Sequence, residues 1–434
     1  MKSILIILPY LPYPLDCGGN NVIFSIIDQL RKDFNISIAL NVRSHSLQAK
    51  PQERSMKYAN QLKERWKDVT FHLYYGQAEY SEEPFSQGVL CRMLRYIGQS
   101  VGRKYRRAYS AWSKHNLAGD IVRAKSLLTE QHIIYNPGFV RFIKDIAQKG
   151  YDIIQVEMYE YLFLGYVLPK DVKKVFIHHE LRFIRNKNEL SLFKEQNPND
   201  QLIYEQQKAA ELAALSIYDH IITLTETDRS ILAEYLPIEK ITASPVNLSA
   251  SPEQNDKEFR PCSEFVFVGS GSHYPNQDAM IWFASEILPL LREKMPQVRL
   301  HVVGRWSKKD KDVIPGNNPE IIFEGFVDDL SSFINGKISI IPLRIGSGLR
   351  VKILEAIEAK SPFITTMKGV EGLEFQPAND YLLAPESALF AESMVRLAYD
   401  TDLQRSLAEN AMKHKKELYS TEKLYEIRKN CYLK

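Results

Sequence analysis

Cysteine is scarce, with four in 434 residues. Cys17, Cys91, Cys262 and Cys431 lie far apart without a C-x-x-C pair, which argues against a zinc ribbon and a disulfide framework and fits a reducing, cytosolic setting. Long apolar runs are missing as well: nowhere does the chain reach the ~18 consecutive apolar residues that a membrane-spanning helix needs. The opening run Ile4 to Leu8 is stopped by Pro9, Pro12 and Pro14 and reads as a strand, not a leader. An excess of one charge is also lacking. Fifty-six Lys and Arg face 53 Asp and Glu for a formal charge of +3, too little for the broad field of a nucleic-acid binder.

What is present is an alternation. Short β-rich apolar runs alternate with helical patterns, as parallel strands joined by crossover helices require. Strands are expected at Ser3 to Leu8, Ile36 to Asn41, Thr70 to Tyr74, Ile153 to Val156, Lys174 to Ile177 and His220 to Leu224. After a polar linker at Leu248 to Asp256 a second series follows: Phe265 to Gly269, Arg299 to Gly304, Glu320 to Phe323, Ile338 to Pro342, Pro362 to Thr366 and Tyr381 to Ala384. Helices are expected between them at Ala279 to Leu291, Arg350 to Ala359 and Glu386 to Ala398. The expected organisation is an α/β chain of two Rossmann-like domains, residues 1–250 with a helical insertion around 80–145 and residues 251–415, with 416–434 as a last helix crossing back to the first domain. Right-handed crossovers collect ligand-binding loops at the carboxyl ends of such strands.

The segment Gly346-Ser347-Gly348-Leu349-Arg350-Val351-Lys352-Ile353-Leu354-Glu355-Ala356 follows a strand and opens a helix. Backbone N–H groups of a glycine loop and a helix start then point at one spot, which suits an anion. Arg344, Arg350 and Lys352 add cations that an anionic ligand such as a diphosphate would offset, and Glu355 stands one to two turns deeper, where a carboxylate can accept the hydroxyls of a ribose. Gly269-Ser270-Gly271 lacks the third glycine of the dinucleotide fingerprint and no P-loop is present, so neither a P-loop enzyme nor a simple NAD enzyme is indicated. Gly269 and Ser270, with Gly304 and Arg305 at the end of the next strand, are assigned to the same cleft. Asp310-Lys311-Asp312 lies in a mixed charge run and reads as solvated surface. His179-Glu180 lacks the second His of a zinc helix motif, and no metal is expected.

Phe267-Val268-Gly269-Ser270, Pro275-Asn276-Gln277-Asp278, Pro342 to Gly348, Lys352 to Ala356 and Gly369-Val370-Glu371-Gly372-Leu373, in that order, resemble the donor domain of retaining GT-B glycosyltransferases of family four. The resemblance spans most of the second half and touches the first half at scattered points. It implies a GT-B fold with a central cleft, a nucleotide-diphosphate sugar as donor, no metal, and Glu355 on the ribose. Ser347 falls where the family carries its first carboxylate, near the sugar. It also implies that Gly19, in the loop Asp16 to Asn21 before a helix from Val22, lies near the diphosphate and sugar. Ile177-His178-His179-Glu180 resembles the family's acceptor-side His-Asp pair, so His179 and Glu180 join Gly19 and Ser347 as candidate catalytic residues.

The expected activity is therefore retaining transfer of a sugar to a glycan or lipid-linked acceptor in cell-surface polysaccharide or glycoconjugate synthesis. The alternatives are an epimerase on the same fold and a silent nucleotide-sugar binder. One stretch stands apart: between Cys91 and Lys125, Arg103, Lys104, Arg106 and Arg107 are interleaved with Tyr105, Tyr109 and Trp112. That mixture suits either contact with the inner face of an anionic membrane or an ordinary solvated helix.

Overall fold

The computed structural model describes residues 1–13, 15, 18–41, 51–75, 135–193, 198–246 and 258–433. The whole basic stretch between Cys91 and Lys125, and the linker Leu248 to Asp256, therefore lie outside the described residues.

Two parallel sheets carry the fold. The first contains β1 (Ser3–Leu8), β2 (Asn35–Asn41), β3 (Thr70–Tyr74), β4 (Ile153–Glu157), β5 (Lys173–His178), β6 (His220–Thr223) and β7 (Ile241–Ala243), in the order β3-β2-β1-β4-β5-β6-β7. The second contains β8 (Phe265–Val268), β9 (Leu300–Val303), β10 (Ile321–Gly325), β11 (Ile338–Ile341), β12 (Phe363–Thr365) and β13 (Leu382–Leu383), in the order β10-β9-β8-β11-β12-β13. In each sheet the order reverses beside its first strand, opening a crevice at the strand ends where ligands bind in such folds.

Burial on both faces explains the unbroken apolar strands. In β1, Ile4, Ile6 and Leu8 enter one core cluster, while Leu5 and Ile7 enter another on the opposite face. Each such side chain contributes about 1.5–3 kcal/mol by leaving water. All the expected strands are present within a residue or two. The three-residue β7 was not foreseen, since it is too short to show a period.

Three helical details differ from expectation. The first helix begins at Gly18 and not at Val22. The expected Ala279 to Leu291 helix is a run from Tyr274 to Lys294 interrupted by a π turn, Phe283–Ile287. That turn lies just ahead of Pro289, which has no N–H to continue the ladder. The Asp310 charge run forms a short helix, Lys308–Lys311, with Ser307 and Asp310 in a reciprocal capping box.

The chain's last helix, Thr421–Leu433, packs against the first sheet. Lys2 Nζ donates to the Tyr432 carbonyl at 3.2 Å, Lys173 Nζ to the Cys431 carbonyl at 2.9 Å, and Tyr425 Oη to Asp33 at 2.5 Å. Among the described residues no helix is long and apolar enough to cross a membrane.

Candidate functional site

The glycine loop follows β11 and leads into the helix Val351–Glu358. Gly346 and Gly348 adopt φ of +135° and +78°, a region that side chains with a Cβ disfavour. The loop is seated on the first sheet's strand ends: Ser347 Oγ donates to the Leu181 carbonyl at 3.0 Å, and Asn188 Nδ2 donates to the Gly346 carbonyl at 2.9 Å. The structure thus brings the loop directly against the His178-His179-Glu180 segment.

Arg350 is engaged within its own loop. Its guanidinium donates to the carbonyls of Ser347, Gly348 and Lys368, and the residue is buried. It braces the loop, because a forked donor satisfies several carbonyls at once. Arg344 is likewise engaged, holding Asp278 with two hydrogen bonds of 3.1 and 2.6 Å. Ser347 is buried against the first half with its hydroxyl already committed.

Lys352, two residues after Arg350, faces Asn276. Its Nζ donates to Asn276 Oδ1 at 2.7 Å and lies 4.5 Å from the centre of the Phe267 ring. Burial lowers its pKa to about 7, with Arg350 adding repulsion and Glu355 opposing the shift. Burial likewise raises Glu355 to about 7, against the attraction of Lys352. The pair therefore titrates in the neutral range, so the charge it offers a ligand is readily altered. No side chain caps the start of this helix.

The other helix start in the site differs. At the helix Arg182–Ser191, the carboxylate of Glu211 accepts the backbone N–H groups of Arg182 and Phe183 at 3.0 and 2.8 Å, and pairs with His178 Nε2 at 2.8 Å. An internal anion already occupies that position, so an external phosphate is unsuited to it. His178 is consequently buried. Glu180 faces Arg185 at 3.3 Å and Arg182 at 3.5 Å. His179 keeps partial exposure, with its Nε2 hydrogen-bonded to Glu157 Oε2 at 2.5 Å.

Close approaches occur at two further glycines, against a side chain in one case and backbone in the other. A Cβ on Gly269 would lie 2.6 Å from the Asn276 side chain, and one on Gly304, at φ +128°, would lie 2.5 Å from the Gly269 carbonyl oxygen. Ser270 stays half-buried at the rim, its carbonyl accepting from Asn276 Nδ2 at 2.9 Å. The Arg305 side chain is exposed, with its guanidinium 5.9 Å from the Phe326 ring. Gly19, the second residue of the first helix, lies beside Tyr10 and Met158. Glu157, Asn188 and Asn276 were not singled out in the sequence. Asn276 lies inside a motif that was, whereas Glu157 is the polar last residue of β4, where a polar side chain is ordinary.

Comparison with known proteins places this geometry. Residues 263–400 match the family described as Glycosyl transferases group 1. The fold is GT-B. HepE of Anabaena, solved with UDP and glucose, superposes with a TM-score of 0.64 at 12% identity, covering 99% of each chain. A variant of S. aureus TarM in complex with fondaparinux, α-GlcNAc-glycerol and UDP gives 0.63 at 13% identity over the whole of both chains. Sucrose-phosphate synthase from Thermosynechococcus elongatus gives 0.62 at 15%, covering 100% of this chain and 98% of that one. An uncharacterized 44.6 kDa protein in the cps region of Klebsiella pneumoniae is 23% identical over 168 residues, 37% of this chain. That alignment spans 43% of the Klebsiella protein.

Proposed function

We propose that the protein transfers a sugar from a nucleoside-diphosphate sugar to a glycan or lipid-linked acceptor, with retention of anomeric configuration. The observation that carries this reading is the seating of the glycine loop and the Lys352–Glu355 helix against the strand end that bears His179. The diphosphate would lie at the uncapped helix start beside Lys352, the ribose at Glu355, and the sugar toward His179 and Gly19. Lys352 and the helix end would stabilise the charge that develops on the leaving diphosphate, without calling on a metal. Exclusion of water by the two apposed halves would favour transfer over hydrolysis.

UDP in the HepE and TarM structures supports a uridine diphosphate donor. The cps-region relative supports a role in polysaccharide synthesis. Acceptance of a lipid-linked substrate at the inner face of a membrane rests on the basic and aromatic residues around Arg103 to Trp112.

The test is release of free nucleoside diphosphate from a panel of nucleotide sugars with and without acceptor glycans. Acceptor-dependent release supports a transferase. Epimerised donor without release supports the epimerase alternative, and binding with no turnover supports a silent binder. His179→Ala should lower kcat more than it raises the donor KM, since the residue lies at the sugar end of the site.

A further inference from the structure

Behind His179 runs a buried chain of hydrogen bonds that ends on the last helix of the protein. β4 and β5 pair in parallel with Glu157 opposite Ile177, so the carboxylate stands beside the strand end from which His179 emerges. Gln155 and Glu157 are two apart on β4 and share a face. Gln155 Nε2 donates to Glu157 Oε1 at 2.5 Å, Glu157 Oε2 accepts from His179 Nε2 at 2.5 Å, and Tyr432 Oη donates to Gln155 Oε1 at 2.5 Å. Tyr432, Gln155 and Glu157 are each 0% exposed.

We propose that Tyr432, Gln155 and Glu157 form a positioning relay that holds His179 in one tautomer and one ring orientation, making the C-terminal helix part of the support of the reaction centre. The inference rests on the proposed transferase reading for the role of His179, and on geometry alone for the relay.

The direction of each bond follows from the groups. A phenol hydroxyl deep in the protein donates to an amide oxygen, which orients the Gln155 amide so that its NH₂ faces Glu157. Burial, with the nearby Glu157 charge, pushes the Tyr432 hydroxyl well above its ordinary range, so it remains a donor. In the relay the carboxylate accepts, so His179 presents Nε2–H to it and a neutral imidazole then carries its lone pair on Nδ1. Directly after Glu157 the backbone of Met158 takes φ +70° and ψ +145°, a conformation that costs about 1–3 kcal/mol for a residue with a side chain and persists only where its surroundings impose it. The carboxylate is thus held by a turn the fold enforces.

Glu157→Gln tests the relay because glutamine offers one oxygen where two donors converge, so either Gln155 or His179 loses its acceptor. Tyr432→Phe keeps the ring and deletes only the hydroxyl. Both variants and the full-length wild type would be labelled with ¹⁵N-histidine, and the His179 ring nitrogens, assigned with His179→Asn, would be read for tautomer.

The wild type is expected to show Nε2–H with an unprotonated Nδ1. Glu157→Gln should lose that pattern and lower kcat about tenfold or more with little change in donor KM. Tyr432→Phe should broaden or mix the pattern and lower kcat several-fold with its unfolding temperature nearly unchanged. An unaltered His179 signature and wild-type kcat in both variants would overturn the proposal. A change in Glu157→Gln with none in Tyr432→Phe would overturn the part assigned to the last helix. If Glu157→Gln does not fold, Tyr432→Phe decides alone. A wild-type chain that transfers no sugar would remove the transferase reading, yet the nitrogen signature would still test the relay.

Discussion

Gly348 lies against His179 so closely that a Cβ built on the glycine would stand 2.0 Å from the His179 carbonyl oxygen. Two halves of the molecule, joined by a long chain path, thus meet backbone to backbone at the site. The contact demands the residue with no side chain, at a φ of +78° that glycine alone adopts without cost.

Gly348→Ala should therefore separate the two loops. The expected loss is about 3 kcal/mol or more in stability together with most of the activity, from a clash with rigid backbone added to backbone strain. Gly150→Ala is the control, since Gly150 also has positive φ but nothing within 4 Å of its Cβ position. It should cost only about 1–2 kcal/mol. Thermal unfolding of the two variants side by side measures the difference.

Ser347→Glu restores the carboxylate that the resembling family carries at this place, yet it should lower activity. The Ser347 hydroxyl donates to the Leu181 carbonyl in a buried contact, whereas a carboxylate would meet that carbonyl with like charge and no donor. Ser347→Ala should be milder, losing about 1 kcal/mol. Steady-state kinetics would check the order wild type, alanine, glutamate; a glutamate variant more active than wild type would contradict it.

Arg350→Lys should destabilise the protein in the absence of any ligand, by about 3 kcal/mol, because an ammonium cannot span the Ser347, Gly348 and Lys368 carbonyls. A direct ligand contact predicts the opposite result: unchanged unfolding without ligand and reduced donor affinity. Unfolding with and without UDP distinguishes the two.

Affinity for UDP should fall as pH rises through about 7. Below that value Lys352 is charged and Glu355 is protonated, so the pair is net positive; above it Lys352 is neutral and Glu355 ionised, so the pair is net negative and repels a diphosphate. Arg350 is the other fixed charge acting on Lys352. Calorimetric titration across the neutral range should show a steep decline for the wild type. In Lys352→Met binding should be weaker below about pH 7 and approach the wild-type value above it, because the lysine's share of the decline is gone.

The amino-acid sequence by itself determined the strands, the glycine loop with its helix, and the strand end carrying His179. Each of these is written in local periodicity and in glycines with a nearby partner. Apolar runs of four to six residues such as Ile4 to Leu8 need no distant information to be read as buried strands. The direction in which the charged side chains turn was decided only by the tertiary structure. Arg350 and Lys352 are two residues apart and looked equivalent as phosphate ligands, but one braces carbonyls of its own loop and the other faces Asn276 across the site. Glu157 became visible only once β4 and β5 were in register, and Tyr432 only once the last helix had docked, 277 positions from Gln155. Hydrogen-bond partners so far apart in the chain leave no mark in spacing, because they are chosen by how packed elements meet after they have formed.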